Sequence, residues 1–177
     1  MSELDDVDLK ILYELQRNGR ATYPELSAKV HLSSTACFHR VHHLQESGHI
    51  VGYSARLDPT KLNCAMLVFV EVVLDKTTPA LFENFKHEVR ARPEVIECHM
   101  VAGDFDYLIK ARVADMKAYK HFLGESLIRL PGVRETHTYA VIEEIKADFA
   151  IPIPFSKTTR GLPIRTGKGS AKRSDQS

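Results

Sequence analysis

Cysteine is scarce in this chain. Its 177 residues hold three, Cys37, Cys64 and Cys98, far apart and with no C-x-x-C pair. That spacing excludes the disulfide framework of small secreted domains and fits a reducing compartment. Each cysteine sits among apolar neighbours, which predicts buried thiols. Long hydrophobic runs are also missing. No apolar stretch approaches the roughly 20 residues needed to cross a bilayer, so no membrane partner is expected. The opening MSELDDVDLK is acidic, unlike a signal or transit peptide, and the cytoplasm is the expected location.

An excess of either charge is the third absence. Lys and Arg number 24 against 23 Asp and Glu, for a net charge of +1. Bulk charge therefore gives no support for a polyanionic partner. The distribution is uneven, with Lys157, Arg160, Arg165, Lys168, Lys172 and Arg173 near the C-terminus against the single acid Asp175. The first sixty residues carry Arg17, Arg20, Lys29, Arg40 and Arg56 opposed by several acids. No nucleotide-binding loop, nucleophile elbow or H-E-x-x-H run occurs, so neither an enzyme nor a cofactor is expected. Function must be read from motif geometry.

An apolar fraction of 44% and a charged fraction of 27% are those of a chain with a packed core. From Asp5, Val7, Ile11, Leu12 and Leu15 recur at helical steps and Asn18-Gly19 supplies a stop. A short second helix begins at Tyr23 or Pro24, with Leu26 and Val30 facing inward. His31-Leu32 makes a tight turn, and Ser33 caps a third helix that Gly48 ends. Cys37, Val41 and Leu44 form its inner stripe. Residues 50–57 alternate and read as a strand or wing.

After a link at 58–63 the periodicity switches repeatedly. Strands are expected from Ala65 to Asp75, Val95 to Ala102, Phe105 to Val113 and Val133 to about Ile145. Helices are expected from Pro79 to Arg92 and from Met116 to Leu130. The order β-α-β-β-α-β is that of a ferredoxin-like fold. The expected class is α+β, with a winged helix-turn-helix over 1–57, the link over 58–63 and a ferredoxin-like domain over 64–149. The basic, Pro-, Gly- and Ser-rich remainder, 150–177, is expected to be a disordered tail.

Three short helices with a tight turn before the third are the helix-turn-helix plan, whose third helix enters the major groove of double-stranded DNA. The expected contacts are Ser33, Ser34, Thr35, His39, Arg40, His42 and His43. Hydroxyls suit phosphates and base edges, and an arginine can grip guanine with two hydrogen bonds. His39 and His43 lie one helical turn apart, yet two imidazoles fall short of a structural or catalytic zinc site. Imidazoles change charge near neutrality, so DNA binding is expected to weaken as pH rises from about 6 to 8.

The stretches LDDVDLKILYELQRNGR, LVFVEVVLD and ECHMVAGDFDYLIKARVADMKAY, followed by LPGV, resemble the Lrp/AsnC family of bacterial and archaeal regulators, in one register from about Leu4 to Lys146. The resemblance implies homodimers that assemble into octamers or similar rings, and an amino-acid effector, leucine favoured, bound between dimers. By motif match the effector residues would be Met100, Gly103, Asp104, Asp106, Met116, Tyr139, Ala140 and Val141. Glycine lets backbone amides approach a carboxylate, a carboxylate side chain accepts from an α-ammonium group, and methionines make adaptable apolar walls. Gly-Asp between two strands is equally a hairpin signal.

The reading helix departs from the family. Ser34 and Ala36 replace the prolines common beside the threonine, and His42 and His43 stand where arginines are common. Two alternatives accompany the regulator. One is a mainly architectural DNA-binding protein, whose basic tail adds sequence-independent affinity. The other is a sirohaem decarboxylase-like enzyme on the same architecture, for which His99, His121 and His137 are available.

Overall fold

The computed structural model describes residues 4–75 and 78–155. The chain divides into two compact units, one running up to Ala55 and rejoined by the segment from Asp148, the other Arg56–Ala147.

Three helices build the first unit: α1 (Asp6–Arg17), α2 (Tyr23–Val30) and α3 (Ser34–Glu46). Side chains close each N-terminus. Asp5 and Asp8 form a reciprocal capping box on α1, Thr22 and Glu25 form another on α2, and the Ser33 hydroxyl accepts from the Ala36 N–H at 3.1 Å. His31 takes up the left-handed conformation (φ 58°) that turns the chain between α2 and α3. Ile11, Leu15, Leu26, Val30, Cys37, Val41 and Leu44 meet as the buried core.

Two segments in and beside this unit differ from expectation. Residues 50–57 form no strand, for no described strand pairs with them, and Val51 and Leu57 stay exposed. The start of the expected tail is held against α1. The Gln16 side-chain amide exchanges two 3.1 Å hydrogen bonds with the Ile151 backbone, and Phe155 packs edge-on against Tyr13. The basic remainder, 156–177, lies outside the described residues.

The second unit opens with a 3-10 turn, Pro59–Leu62, capped by Asp58, so residues read as a link have their own hydrogen-bonded structure. Then follow β1 (Met66–Leu74), α4 (Pro79–Arg90), β2 (Val95–Met100), β3 (Tyr107–Val113), α5 (Met116–His121) and β4 (Val133–Ala140). The sheet is antiparallel in the order β2-β3-β1-β4, the ferredoxin-like arrangement. Alternate residues of β1 (Val68, Val70, Val72, Leu74) and β3 (Tyr107, Ile109, Ala111, Val113) are buried in one core with Phe85 and Val89 of α4 and Tyr119 of α5.

The helix expected from Met116 to Leu130 is interrupted, for Phe122–Leu127 winds as a π-helix. The last strand stops at Ala140, leaving Ile142 and Ile145 exposed. Gly132, at φ +74°, sits where a Cβ would lie 2.5 Å from the Leu81 side chain, so the turn demands glycine and any larger residue would also force Leu81 to move. Cys37 is buried as expected, whereas Cys64 and Cys98 are only partly so. Burial still pushes the Cys98 thiol up to about 11, which keeps it protonated.

Candidate functional site

The first candidate site is the outer face of α3. With Cys37, Val41 and Leu44 turned inward, the 3.6-residue repeat leaves Ser34, Thr35, His39, His42 and His43 exposed along one helix. Ser33, the cap, stands exposed at its start. His42 Nδ1 lies 3.3 Å from the Glu46 carboxylate one turn on. Among the described residues no cluster of three potential metal ligands occurs.

Arg40 differs from the others. Its Nη1 reaches back to α1, 2.8 Å from the Asp5 carboxylate and 2.7 Å from that of Asp8. The two carboxylates keep the guanidinium protonated. Slight burial opposes ionisation of Asp5, but the Asp8 N–H and Arg40 outweigh it and hold the Asp5 carboxyl below its usual range. Arg40 thus ties α3 to the first turn of α1. The partners lie 35 and 32 residues away in sequence, a separation that no local pattern reveals.

Phe38 is a further exposed residue of α3 that the sequence pattern does not single out. This α3 residue is 43% exposed and makes an edge contact with Tyr23 of α2, ring centres 5.4 Å apart. Its position beside the inner stripe hid it, since an aromatic there reads as core.

The second set of residues divides into two groups. Met100 ends β2, and Gly103, Asp104 and Asp106 lie in the loop 101–106 that leads into β3. This is a six-residue loop and not a tight two-residue turn. The Asp106 carboxylate accepts from the Leu74 N–H at 2.7 Å, while its own N–H donates to Val72 O at 3.0 Å. Asp106 therefore anchors the loop to the end of β1. Asp104 is exposed, and space around Gly103 is open even to an added Cβ.

Met116 opens α5 just beyond the far end of β3, and Tyr139 and Ala140 close β4 with Val141 just past it. The registers fix how far apart the groups are. Tyr107 pairs with Val72, whereas Ala140 pairs with Val68 beside Ala111, and Val141 N–H reaches Leu67 O. The loop thus sits at the Tyr107 end of β3, whereas Tyr139–Val141 lie level with Lys110–Arg112, about 10–17 Å along at roughly 3.3 Å per residue, and Met116 lies beyond Val113. β2 and β4 are moreover opposite edges of the sheet. One chain does not gather these residues into one pocket. The charge of Glu71 beside Tyr139 pushes its phenol pKa up, so it stays a neutral hydroxyl.

A groove of about 350 Å³ between α4 and β2 is lined by Lys86, Arg90, Met100 and Tyr107 among others. It contains only Met100 of the expected effector residues. Of its charged groups Lys86, Arg90 and Glu97, Lys86 is paired with Glu83 at 2.7 Å and Glu97 with Lys110 at 2.8 Å.

A capped three-helix unit with a polar third-helix face, joined to an antiparallel α+β unit, defines a class of DNA-binding regulators. Residues 4–45 match the AsnC-type helix-turn-helix domain, and residues 67–151 match the Lrp/AsnC ligand binding domain. The chain is 51% identical over 144 residues to the leucine-responsive regulatory proteins of Escherichia coli K12 and Klebsiella pneumoniae, covering 81% of this chain and 88% of theirs. A transcriptional regulator from Neisseria meningitidis, solved as an L-Met complex, superposes with a TM-score of 0.81 at 37% identity, over 85% of this chain and 97% of that one. An AsnC family regulator from Agrobacterium tumefaciens gives 0.81 at 32%, over 84% and 97%. The chain belongs to the Lrp/AsnC family of DNA-binding transcription regulators. Among the described residues no helix is long and apolar enough to cross a membrane.

Proposed function

We propose that this regulator responds to a small apolar amino acid, leucine foremost, at a site completed by two copies of the chain. The observation that carries this reading is the separation of the effector residues. The loop 101–106 leaves one edge of the sheet at the Tyr107 end of β3, whereas Tyr139–Val141 lie on the other edge and level with Lys110–Arg112. A neighbouring copy can bring the second group to the first. The ligand class is supported by the L-Met complex of the Neisseria relative and by the leucine-responsive names of the curated relatives.

In this site the backbone at Gly103 approaches the ligand carboxylate and Asp104 accepts from its ammonium group. Met100 and Met116, both half-exposed, wall the aliphatic side chain. Asp106 holds the loop in place through Leu74. On DNA, Ser33, Ser34, Thr35, His39, His42 and His43 make the contacts, and Arg40 holds the helix that carries them. The protein acts by binding, with no reaction of its own. Homodimers present two reading helices to half-sites about one helical turn apart, and assemble further into octamers or similar rings. Effector binding then couples to assembly or headpiece spacing, an effect of about 1–3 kcal/mol.

Complementation tests the composite site. Asp104→Ala and Tyr139→Ala should each weaken leucine binding about tenfold or more in calorimetry, the value of a hydrogen bond to a charged group. Mixed and allowed to exchange subunits, the two variants should regain a fraction of full-affinity sites, because some sites draw an intact half from each. A mixture that binds no better than its parts would place the site within one chain.

A further inference from the structure

We propose that Phe38 reads the C5-methyl group of a thymine in the major groove, with Tyr23 as its backing. The inference rests on α3 being the reading helix.

At 100° per residue, Phe38 falls on the rim of the outer face of α3, in line with Ser34 one turn before and His42 one turn after. The inner stripe is complete without it, since Cys37, Val41 and Leu44 already close the core. Its ring is nonetheless held on several sides. Tyr23 meets it edge-on at 5.4 Å and 82°, His39 at 5.4 Å and 71°, and His42 lies 6.1 Å away, tilted. Tyr23 stands in the first turn of α2, whose start is locked by the Thr22–Glu25 capping box. Phe38 is thus an ordered apolar surface, 43% exposed, set among polar residues on the face presented to DNA.

The chemistry of the groove narrows what such a surface can meet. Adenine, guanine and cytosine offer hydrogen-bond donors and acceptors there, and thymine alone adds a methyl group. A phenyl ring against a donor or acceptor strips its water and returns no hydrogen bond, which disfavours those bases. Against a methyl group it buries apolar surface from both sides. The flanking Ser34, His39 and His42 remain available for polar edges and phosphates, so the ring adds a discrimination they cannot supply.

The test starts from duplexes that the full-length protein enriches from a random-sequence pool. Each enriched duplex is remade with uracil replacing thymine one position at a time, which removes the methyl group and keeps the base pair. Wild-type protein should lose about fourfold in affinity at one thymine per half-site, the value of burying one methyl group, and nothing at the others. Phe38→Ala should bind the thymine and uracil duplexes equally, and Phe38→Leu should keep part of the preference. Thermal unfolding of both variants checks that the headpiece remains folded, and the uracil scan on wild-type protein needs no variant. A flat scan, or a thymine preference that survives Phe38→Ala, would overturn the proposal. A pool that yields no enriched duplex would overturn the reading role of α3 itself, a separate and earlier failure.

Discussion

The two units of this chain are held together by different means. Among the described residues the helical unit buries seven in its core, whereas the α+β unit buries fourteen, with Phe85 stacked on Tyr107 at 4.4 Å in their midst. What the helical unit lacks in apolar burial it supplies in polar closure. Asp5 caps α1 and also pairs with Arg40 of α3, so one carboxylate joins two helices. In the α+β unit a carboxylate fixes a loop instead, as Asp106 ties 101–106 to Leu74. The difference bears on function. The DNA contacts proposed above lie on one short helix and need only that helix to be oriented, whereas the proposed effector residues lie on opposite edges of the sheet.

Three substitutions sharpen this contrast. The largest effect is expected from Phe85→Ala, about 3–5 kcal/mol, since a fully buried ring is replaced by a cavity. In scanning calorimetry it should lower the transition of the α+β unit and leave DNA affinity per folded headpiece unchanged. Equal loss in both units would show that they do not unfold separately.

Arg40→Ala should cost the headpiece about 1–2 kcal/mol, above the usual surface ion pair because the Asp8 side chain is only 14% exposed. Its pH dependence carries a sign. The Asp5 carboxyl titrates below its usual value, so its share of stability is present above about pH 4 and lost as pH falls through the depressed pKa. Acid titration of wild type and variant should therefore converge at low pH. Curves that stay parallel would deny the clamp.

Ser33→Ala should cost about 1 kcal/mol, the worth of one N-cap, and Ser33→Asp should restore it. If the variant leaves helix content intact yet abolishes DNA binding, the hydroxyl contacts DNA instead of serving only as a cap.

Much of the headpiece was legible beforehand because its signals are local. Ser33, the stripe of Cys37, Val41 and Leu44, and Gly48 at φ +76° lie within a few turns of what they control. The βαββαβ order was legible for the same reason, since each switch of period marks an element. Residues 50–57 misled because alternation shows a strand's faces but not whether a neighbour exists to pair with it. Helical spacing from Met116 to Leu130 does not distinguish α from π winding, so the break at Phe122 leaves no mark in the sequence.

For the sites, the sequence by itself determined which residues share the face of α3, because a helix repeats every few residues whatever surrounds it. Tertiary structure alone decided that Arg40 turns to Asp5 and Asp8, and that Asp106 secures Leu74 across 32 residues. It alone separated the loop at Gly103 from Tyr139. Such contacts join residues that only folding brings together, and no spacing along the chain encodes them.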